Sequence, residues 1–590
     1  MNDLQDILTN LNLLLTRLIA KDRRISIARL LAMVSAGLLF YQFYEKEGII
    51  WLICGLLALI SFGLLIRLHS NVRWTAQFTR EKIAVNENEL SFLNGNATVF
   101  NSGKEFIQTD HPYSYDLDFF GDHSLYQALN RTNTVKGQRI LASHLQHILA
   151  KDEIEEVQNA VKELAPLLDW RQDFMALSKM NPDSEDSLSD LLTWCSRPPV
   201  KVSVISRISA YILPVFTVSS LGLYFIFSSG IAGNIGGLLF LLNLGLLGGY
   251  SLSLKKELVD TTKIEKILKQ YALLLNKIEH QPFQSHRLVA LQKKLLSKHH
   301  SASSAIHQLG LLFGRLEHLT NAFASPVLNG LMLYHIHVLM SLSRWRKDHA
   351  AHVEEWLNAI GEVEMLNSLA NFSYNNPTFV YPQLTTNHTI QFDQLGHPLI
   401  PKQVAVTNSI DFTNHRFFIL TGSNMSGKST FLRTIGINMV LAGIGAPVFA
   451  SKAKIHPLPV VVSMRLSDSL SDSESYFYAE VKRLKSIMEQ LDEEPCFVLL
   501  DEILRGTNSD DKRNGTIEVI RKMANKEAYG GIATHDLEVC KTTEEFPQTL
   551  VNKRFEVEII NDELVFDYKL REGVCENKSA SFIMKKMGVI

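Results

Sequence analysis

A mostly helical N-terminal part carrying two hydrophobic hairpins, followed by a C-terminal α/β domain, is the fold class predicted for this 590-residue sequence. Three observations predict it. Charge-free runs occur in two tandem pairs, within 30–66 and 208–254. Apolar residues recur at a spacing of three to four through the polar stretches between and after them, as at Leu268, Tyr271, Leu274 and Leu275. Beyond about residue 370, short β-type runs alternate with helical ones, the pattern of an α/β nucleotide-binding domain. With 46% hydrophobic and 20% charged residues, the composition excludes a disordered or fibrous chain. The 59 basic and 61 acidic residues leave a net charge of −2, so any nucleic-acid contact has to be a local patch. Cys54, Cys195, Cys496, Cys540 and Cys575 form no C-x-x-C pair, which speaks against a disulfide framework or a zinc site and fits a reducing compartment.

Residues 1–28 read as an N-terminal cytosolic helix, and 29–67 as the first transmembrane hairpin. Leu30–Tyr44 and Gly48–Ile66 are uncharged, and Glu45-Lys46-Glu47 between them has room only for a tight turn. Such runs have no polar face, so they are not amphipathic surface helices. Arg29 lies close enough to the start to snorkel. The polar stretch before the first run is wrong for a cleaved signal peptide. The second hairpin, 207–254, divides near Ser228-Ser229-Gly230 and Gly233-Asn234 into two spans of roughly 20 residues, the length that crosses a bilayer. Read as free of intramembrane polar residues, the four spans offer no pathway for a small solute. Basic residues flank both hairpins: Lys21, Arg23, Arg24, Arg29, Arg67 and Arg73 around the first, and Lys201, Arg207, Lys255 and Lys256 around the second. The positive-inside bias then predicts a multi-pass protein of the inner (cytoplasmic) membrane, with its soluble domains in the cytoplasm. Residues 75–205 and 255–370 read as helical, with Pro198-Pro199 breaking the chain before the third span.

The α/β domain is expected over 375–590. Phe417-Phe418-Ile419-Leu420 reads as a buried strand leading into Gly422-Ser423-Asn424-Met425-Ser426-Gly427-Lys428-Ser429, a complete G-x-x-x-x-G-K-S motif, with a helix starting at Thr430. Glycines let backbone N–H groups wrap phosphates, Lys428 reaches the β/γ-phosphates, and Ser429 offers a hydroxyl to Mg²⁺. A second strand, Cys496-Phe497-Val498-Leu499-Leu500, ends in Asp501-Glu502, a Walker B arrangement. Asp501 is expected to hold the metal through water and Glu502 to polarise the attacking water. A third strand, Gly531-Ile532-Ala533-Thr534, delivers His535 to the same sheet edge, where it is placed to sense the γ-phosphate. The serine- and acid-rich run 467–475 before Tyr476-Phe477-Tyr478-Ala479-Glu480 reads, on its own, as a solvated loop with an N-cap.

Taken together, Thr421–Thr430, Ser475–Glu480, Asp501-Glu-Ile-Leu-Arg-Gly-Thr507 and Ala533-Thr-His535 resemble the MutS family. Asn424-Met425 and Arg505-Gly506-Thr507 are distinctive of that family among ABC-type ATPases. Gly396-His397-Pro398 is similar to its entry to the ATPase domain, and Tyr568–Val574 to its end. Leu129–Thr134 with Gly137 and Arg139 is similar to the start of its helical core. The resemblance implies a P-loop NTPase of ABC type over 375–590, a core-like region over 75–205 and a lever-like region over 255–370. It implies ATP and Mg²⁺ as cofactors, with Gly422, Asn424, Gly427, Lys428, Ser429, Thr430 and Ser475 binding nucleotide. Ser429 and Asp501 would bind the metal, and Glu502 and His535 would act in catalysis. By the same resemblance, Ser475 caps the nucleotide of a second subunit, so a homodimer is expected.

Departures from the family pattern are also legible. No mismatch-recognition domain fits before residue 75, and the chain end leaves no room for a helix-turn-helix dimerisation tail or a nuclease domain. Phe43-Tyr44-Glu45 mimics the mismatch-reading wedge but sits at the end of a hydrophobic span. The second hairpin falls where the DNA clamp would leave the lever helices. Ser426, Leu504 and Lys512 stand where glycines are usual, which bears on the hydrolysis rate. Two functions follow from the resemblance and its departures. One is a membrane-anchored ATPase coupled to double-stranded DNA in the manner of mismatch repair. The other is a membrane ABC-type ATPase acting on a protein or lipid partner, with no DNA role.

Overall fold

The computed structural model describes residues 2–96, 99–257, 261–296, 301–465, 476–560 and 563–575. Helices α1 (Asn2–Lys46) and α2 (Ile49–Leu93) form an antiparallel pair that turns at Glu47-Gly48, with Glu47 in the left-handed region at φ 50°. Each has 45 residues and is therefore about 67 Å long, roughly twice the thickness of a bilayer's apolar core. Neither helix breaks at residue 28 or 67, so the charge-free half of each continues directly into a polar half. The upper half exposes Leu30, Leu31, Val34, Ile50, Leu57 and Leu64 on its outside. Burying each such side chain is worth about 1.5–3 kcal/mol. At the boundary, His69 Nε2 lies 2.7 Å from Asp22 Oδ1, and Arg29 and Arg73 close the cluster.

The polar half of α2 is keyed to the helical body. Val72, Ala76 and Ile83 are buried, and Lys82 Nζ donates to Asp169 (3.0 Å) and Asp173 (2.8 Å) of α3 (Leu168–Lys179). Glu89 accepts from Arg131 Nε at 2.6 Å, while the guanidinium lies between the Phe92 and Phe100 rings, 4.9 and 3.7 Å from their centroids. Leu129–Gly137 is thereby held between α2 and α10 (Val353–Asn375), whose buried Glu364 accepts from the backbone N–H groups of Asn133 and Thr134 at 3.1 Å. Burial pushes the Glu364 carboxyl up to about 7.

The second hairpin consists of α4 (Val204–Phe227) and α5 (Gly230–Gly249). Its break is confined to Ser228-Ser229; Gly233-Asn234 remains helical within α5. All four predicted spans are helices long and apolar enough to cross a membrane. The expectation that they hold no polar residues is corrected: Asn243 and Thr217 are fully buried, and the Asn243 amide donates to Thr217 Oγ1 at 3.2 Å.

After the hairpin, α6 (Thr261–Glu279), α7 (Ala302–Glu317), α8 (Ala324–Met332) and α9 (Tyr334–His349) lead to α10. α6 pairs along α7, and α9 packs on α7, with Trp345 Nε1 donating to the Ala305 carbonyl at 2.8 Å. At the base of the hairpin, Arg346 is ion-paired with Glu257 and lies 3.9 Å over the Trp194 ring, whose Nε1 also donates to Glu257. Both charged side chains are buried. Arg346→Met strands that carboxylate, and a loss of about 3–5 kcal/mol is expected in thermal or denaturant unfolding of the full chain in detergent. Pairing it with Glu257→Gln should recover much of the loss.

The C-terminal domain holds ten described strands. β1 (Gln383–Leu384), β2 (Gln391–Leu395), β3 (Asn408–Asp411) and β5 (Lys452–Ile455) form a small sheet in the order β1-β5-β2-β3. β4 (Phe417–Thr421), β6 (Val460–Ser463), β7 (Cys496–Asp501), β8 (Ala528–Ala533), β9 (Leu550–Ile560) and β10 (Glu563–Glu572) form the second, ordered β10-β9-β4-β8-β7-β6. Within it β9, β4, β8, β7 and β6 are parallel, and β10 is an antiparallel edge. β4, β6, β7 and β8 are essentially buried throughout, as a sheet covered on both faces requires. Three further helices matter below: α11 (Lys428–Gly443), α12 (Tyr476–Glu493) and α13 (Ser509–Asn525).

Candidate functional site

The parallel register brings the carboxyl ends of β4, β8 and β7 to one edge, where ligands of open α/β sheets bind. Three predicted segments meet there: the loop 422–427 after β4, Asp501-Glu502 at the end of β7, and His535 just beyond β8. α11 starts at Lys428, two residues earlier than expected. The loop needs small residues for close approach. A Cβ on Gly422 would lie 2.6 Å from Ser426 Oγ and 3.1 Å from the Phe555 carbonyl, and Gly427 sits at φ 96°.

Lys428 is buried, and its Nζ donates to the carbonyls of Gly422 (3.0 Å) and Ser423 (3.1 Å). It also lies 3.3 Å from His535 Nε2. Burial lowers the Lys428 pKa, opposed by the charges of Glu502 and Asp501. His535 Nε2 is 2.8 Å from Glu502 Oε1, and this hydrogen bond holds the Glu502 carboxyl down at about 2. His535 therefore lies between the lysine and the acid. Three buried polar atoms, Ser423 Oγ, Ser426 Oγ and Asp501 Oδ1, have no hydrogen-bond partner among the described residues. Two of them are on the 422–427 loop and the third is at the end of β7, and an orphaned buried polar group costs about 1–3 kcal/mol.

Asn424, Lys428, Ser429, Thr430, Glu502 and His535 line a single cavity of about 520 Å³. Its other wall is apolar and aromatic: Leu395, Val404, Val406 and Tyr568. The sequence reading did not assign these to the site. Tyr568 reaches it because β10 shifts register between Phe566 and Leu570, leaving Tyr568 at φ 53° with its ring 3.0 Å from where a Gly427 Cβ would be. Asn408 pins this bulge, donating to the Tyr568 carbonyl (3.0 Å) and accepting from Leu570 N–H (2.8 Å).

Glu480 on α12 accepts from the N–H groups of Leu504 (2.6 Å) and Arg505 (3.1 Å), so it shapes the turn after Asp501-Glu502. Leu504 occupies φ 61° and Glu502 φ 49°. The first explains why glycine is usual at that position in the resembled family: a left-handed non-glycine residue costs of order 1 kcal/mol, and here the Glu480 carboxylate offsets it. Ser475 lies outside the described residues.

This arrangement defines a class first, an α/β domain of the P-loop NTPase-like kind. A family model described as MutS domain V matches residues 418–589. The chain is 28% identical over 230 residues to MutS protein homolog 4 of Homo sapiens, covering 37% of this chain and 24% of that protein. It is 29% identical over 250 residues to DNA mismatch repair protein MutS of Methanococcoides burtonii (41% and 28%), and 29% over 238 residues to that of Thermotoga petrophila (39% and 29%). Over this C-terminal domain the chain is similar to MutS-family proteins. The aligned part spans only about a quarter of the length of those relatives.

Proposed function

We propose that this chain is an ATPase of the MutS type, anchored in the cytoplasmic membrane by four spans, that binds and hydrolyses ATP with Mg²⁺ at the 422–430 loop. The observation that carries the reading is one cavity lined by Lys428, Glu502, His535 and Ser426, whose Oγ has no partner among the described residues, with the unpartnered Ser423 Oγ and Asp501 Oδ1 one residue away from that lining in the chain. The fit extends to the base: the Tyr568 face and the Val404 and Val406 side chains suit a flat heterocycle beside the phosphate loop. Ser429 and Asp501 are the residues to hold Mg²⁺, which when bound neutralises phosphate charge. Lys428 exchanges its two backbone carbonyls for phosphate oxygens. Glu502 acts as general base only after His535 lets go of it, because a carboxyl held near 2 is a poor proton acceptor. Loading and activation are thereby linked through His535, which touches both side chains.

The site is completed in a homodimer, with Ser475 of one subunit closing on the nucleotide of the other. Chains carrying Lys428→Ala and Ser475→Arg should each be inactive alone. Mixed in nanodiscs, they should regain up to about half the activity per heterodimer, since confinement raises the effective concentration of subunits. A mixture no more active than the mean of its parts contradicts the dimer.

DNA is the partner that the names of the MutS relatives point to, and the double-stranded form is the one taken for this chain. A protein or lipid partner without DNA is the second reading, favoured by the packing of α8 and α9 against the apolar second hairpin. DNA binding by the full chain in nanodiscs, measured across a salt series, separates them. A steep fall of affinity with salt supports DNA as the partner, and no binding supports the second reading.

A further inference from the structure

We propose that residues 318–343 form a re-entrant segment embedded in the cytoplasmic leaflet, with lipid acyl chains covering its outer face. This inference rests on the membrane-anchored reading above. From His318 to Ser343 there is no aspartate, glutamate, lysine or arginine. Helix α8 within it has only nine residues, too short to span a bilayer. Yet it packs against both α4 and α5 rather than against the cytosolic body.

The depth of α8 is set by its contacts. The Asn243 amide, beside Thr217, donates to the Gly330 carbonyl at 2.8 Å. A Cβ on Gly330 would fall 2.2 Å from the Phe240 ring, so any side chain there has to push that ring aside. Phe240 is halfway along α5, about 15 Å from either end. The chain then returns toward the base of the hairpin. His337 Nε2 is 2.9 Å from the Ala210 carbonyl, and Ser343 Oγ donates to the Val200 carbonyl at 3.0 Å.

Non-helical backbone at that depth requires internal partners for its polar groups, and they are present. Asn321 Oδ1 accepts from the N–H groups of Phe323 and Ala324 at the start of α8. At the break, where Leu333 adopts φ 47°, Asn329 Oδ1 accepts from His335 N–H at 2.9 Å. Asn329 and His335 at the break are fully buried, Asn321 caps the start of α8 from the exposed side, and Phe323, Val327 and Met332 are 89%, 52% and 53% exposed. Continuity with the exposed apolar faces of α4 and α5 makes lipid their cover, and it attaches the α7–α9 helices to the bilayer at a second place.

Nitroxide labels on single cysteines test this in the full chain in nanodiscs, with Cys54→Ser and Cys195→Ala as background. Labels at Val327→Cys and, independently, Phe323→Cys are compared with Leu241→Cys on α5 and Lys485→Cys on the surface of α12. The ratio of collision with oxygen to collision with a water-soluble nickel chelate should be several-fold higher at 323 and 327 than at 485, matching 241. A water-like ratio at 323 and 327 with a lipid-like ratio at 241 overturns this proposal and leaves the anchoring intact. A water-like ratio at all of them removes the anchoring itself. Sites 323 and 327 closed to both reagents would place protein there instead of lipid, which also overturns it.

Discussion

Replacing Lys428 with alanine is expected to abolish ATP binding and turnover together. The ammonium is buried against the 422–427 loop, and hydrogen bonds to charged groups contribute about 1.5–3 kcal/mol each. Losing about 3 kcal/mol weakens binding by roughly 10²-fold, enough to take a micromolar nucleotide site out of range. Calorimetric or filter-binding titration of the full chain checks the first effect and phosphate release the second. The buried carbonyls of Gly422 and Ser423 each lose a donor in the variant, so unfolding is measured beside binding and a loss of about 1–3 kcal/mol is expected. Unaltered affinity in the variant would place the phosphates elsewhere.

Glu502→Gln should behave differently. The amide keeps the shape and a hydrogen bond to His535 but accepts no proton, so turnover falls by about 10²–10⁴-fold while ATP affinity stays within a few-fold. Bound nucleotide should therefore be recovered as ATP after a single-turnover delay. Acid stability gives a second readout. The folded carboxyl titrates near 2 against an ordinary 4.5. The pair therefore contributes stability above about 4.5 and loses it as pH falls toward 2, a dependence that the glutamine variant lacks. Hydrolysis at the unaltered rate would remove Glu502 from the reaction.

Much of the site was legible because its chemistry is local in sequence. The strand–loop–helix around Gly422–Ser429 and the strand ending in Asp501-Glu502 each carry their own signal, and the parallel register needs only to bring them to one edge. What escaped the sequence depends on long-range contacts. Tyr568 enters the cavity through a bulge held by Asn408, far away in the chain, and neither residue signals the other. Glu480 reads as an ordinary helix-start residue until its carboxylate is seen on the turn at Leu504.

The hairpins were visible because a charge-free run is a one-dimensional signal. Their extent was not, since nothing in residues 22–29 or 67–73 ends a helix; the charges there pair with one another across the two helices. The segment 318–343 lies in the stretch 255–370 whose sequence reads as helical. It is interrupted at Leu333, a residue type that gives no warning of a left-handed break, and its place is set by the distant Asn243.

A membrane-anchored MutS-type ATPase makes one result unavoidable. Membranes carrying the chain are washed with alkaline carbonate and assayed for MgATP hydrolysis beside membranes carrying Lys428→Ala. The chain should stay in the pellet, and the pellet should hydrolyse ATP with the native lysine and not with alanine. Recovery of the chain in the supernatant, or equal hydrolysis by the two pellets, would contradict the account.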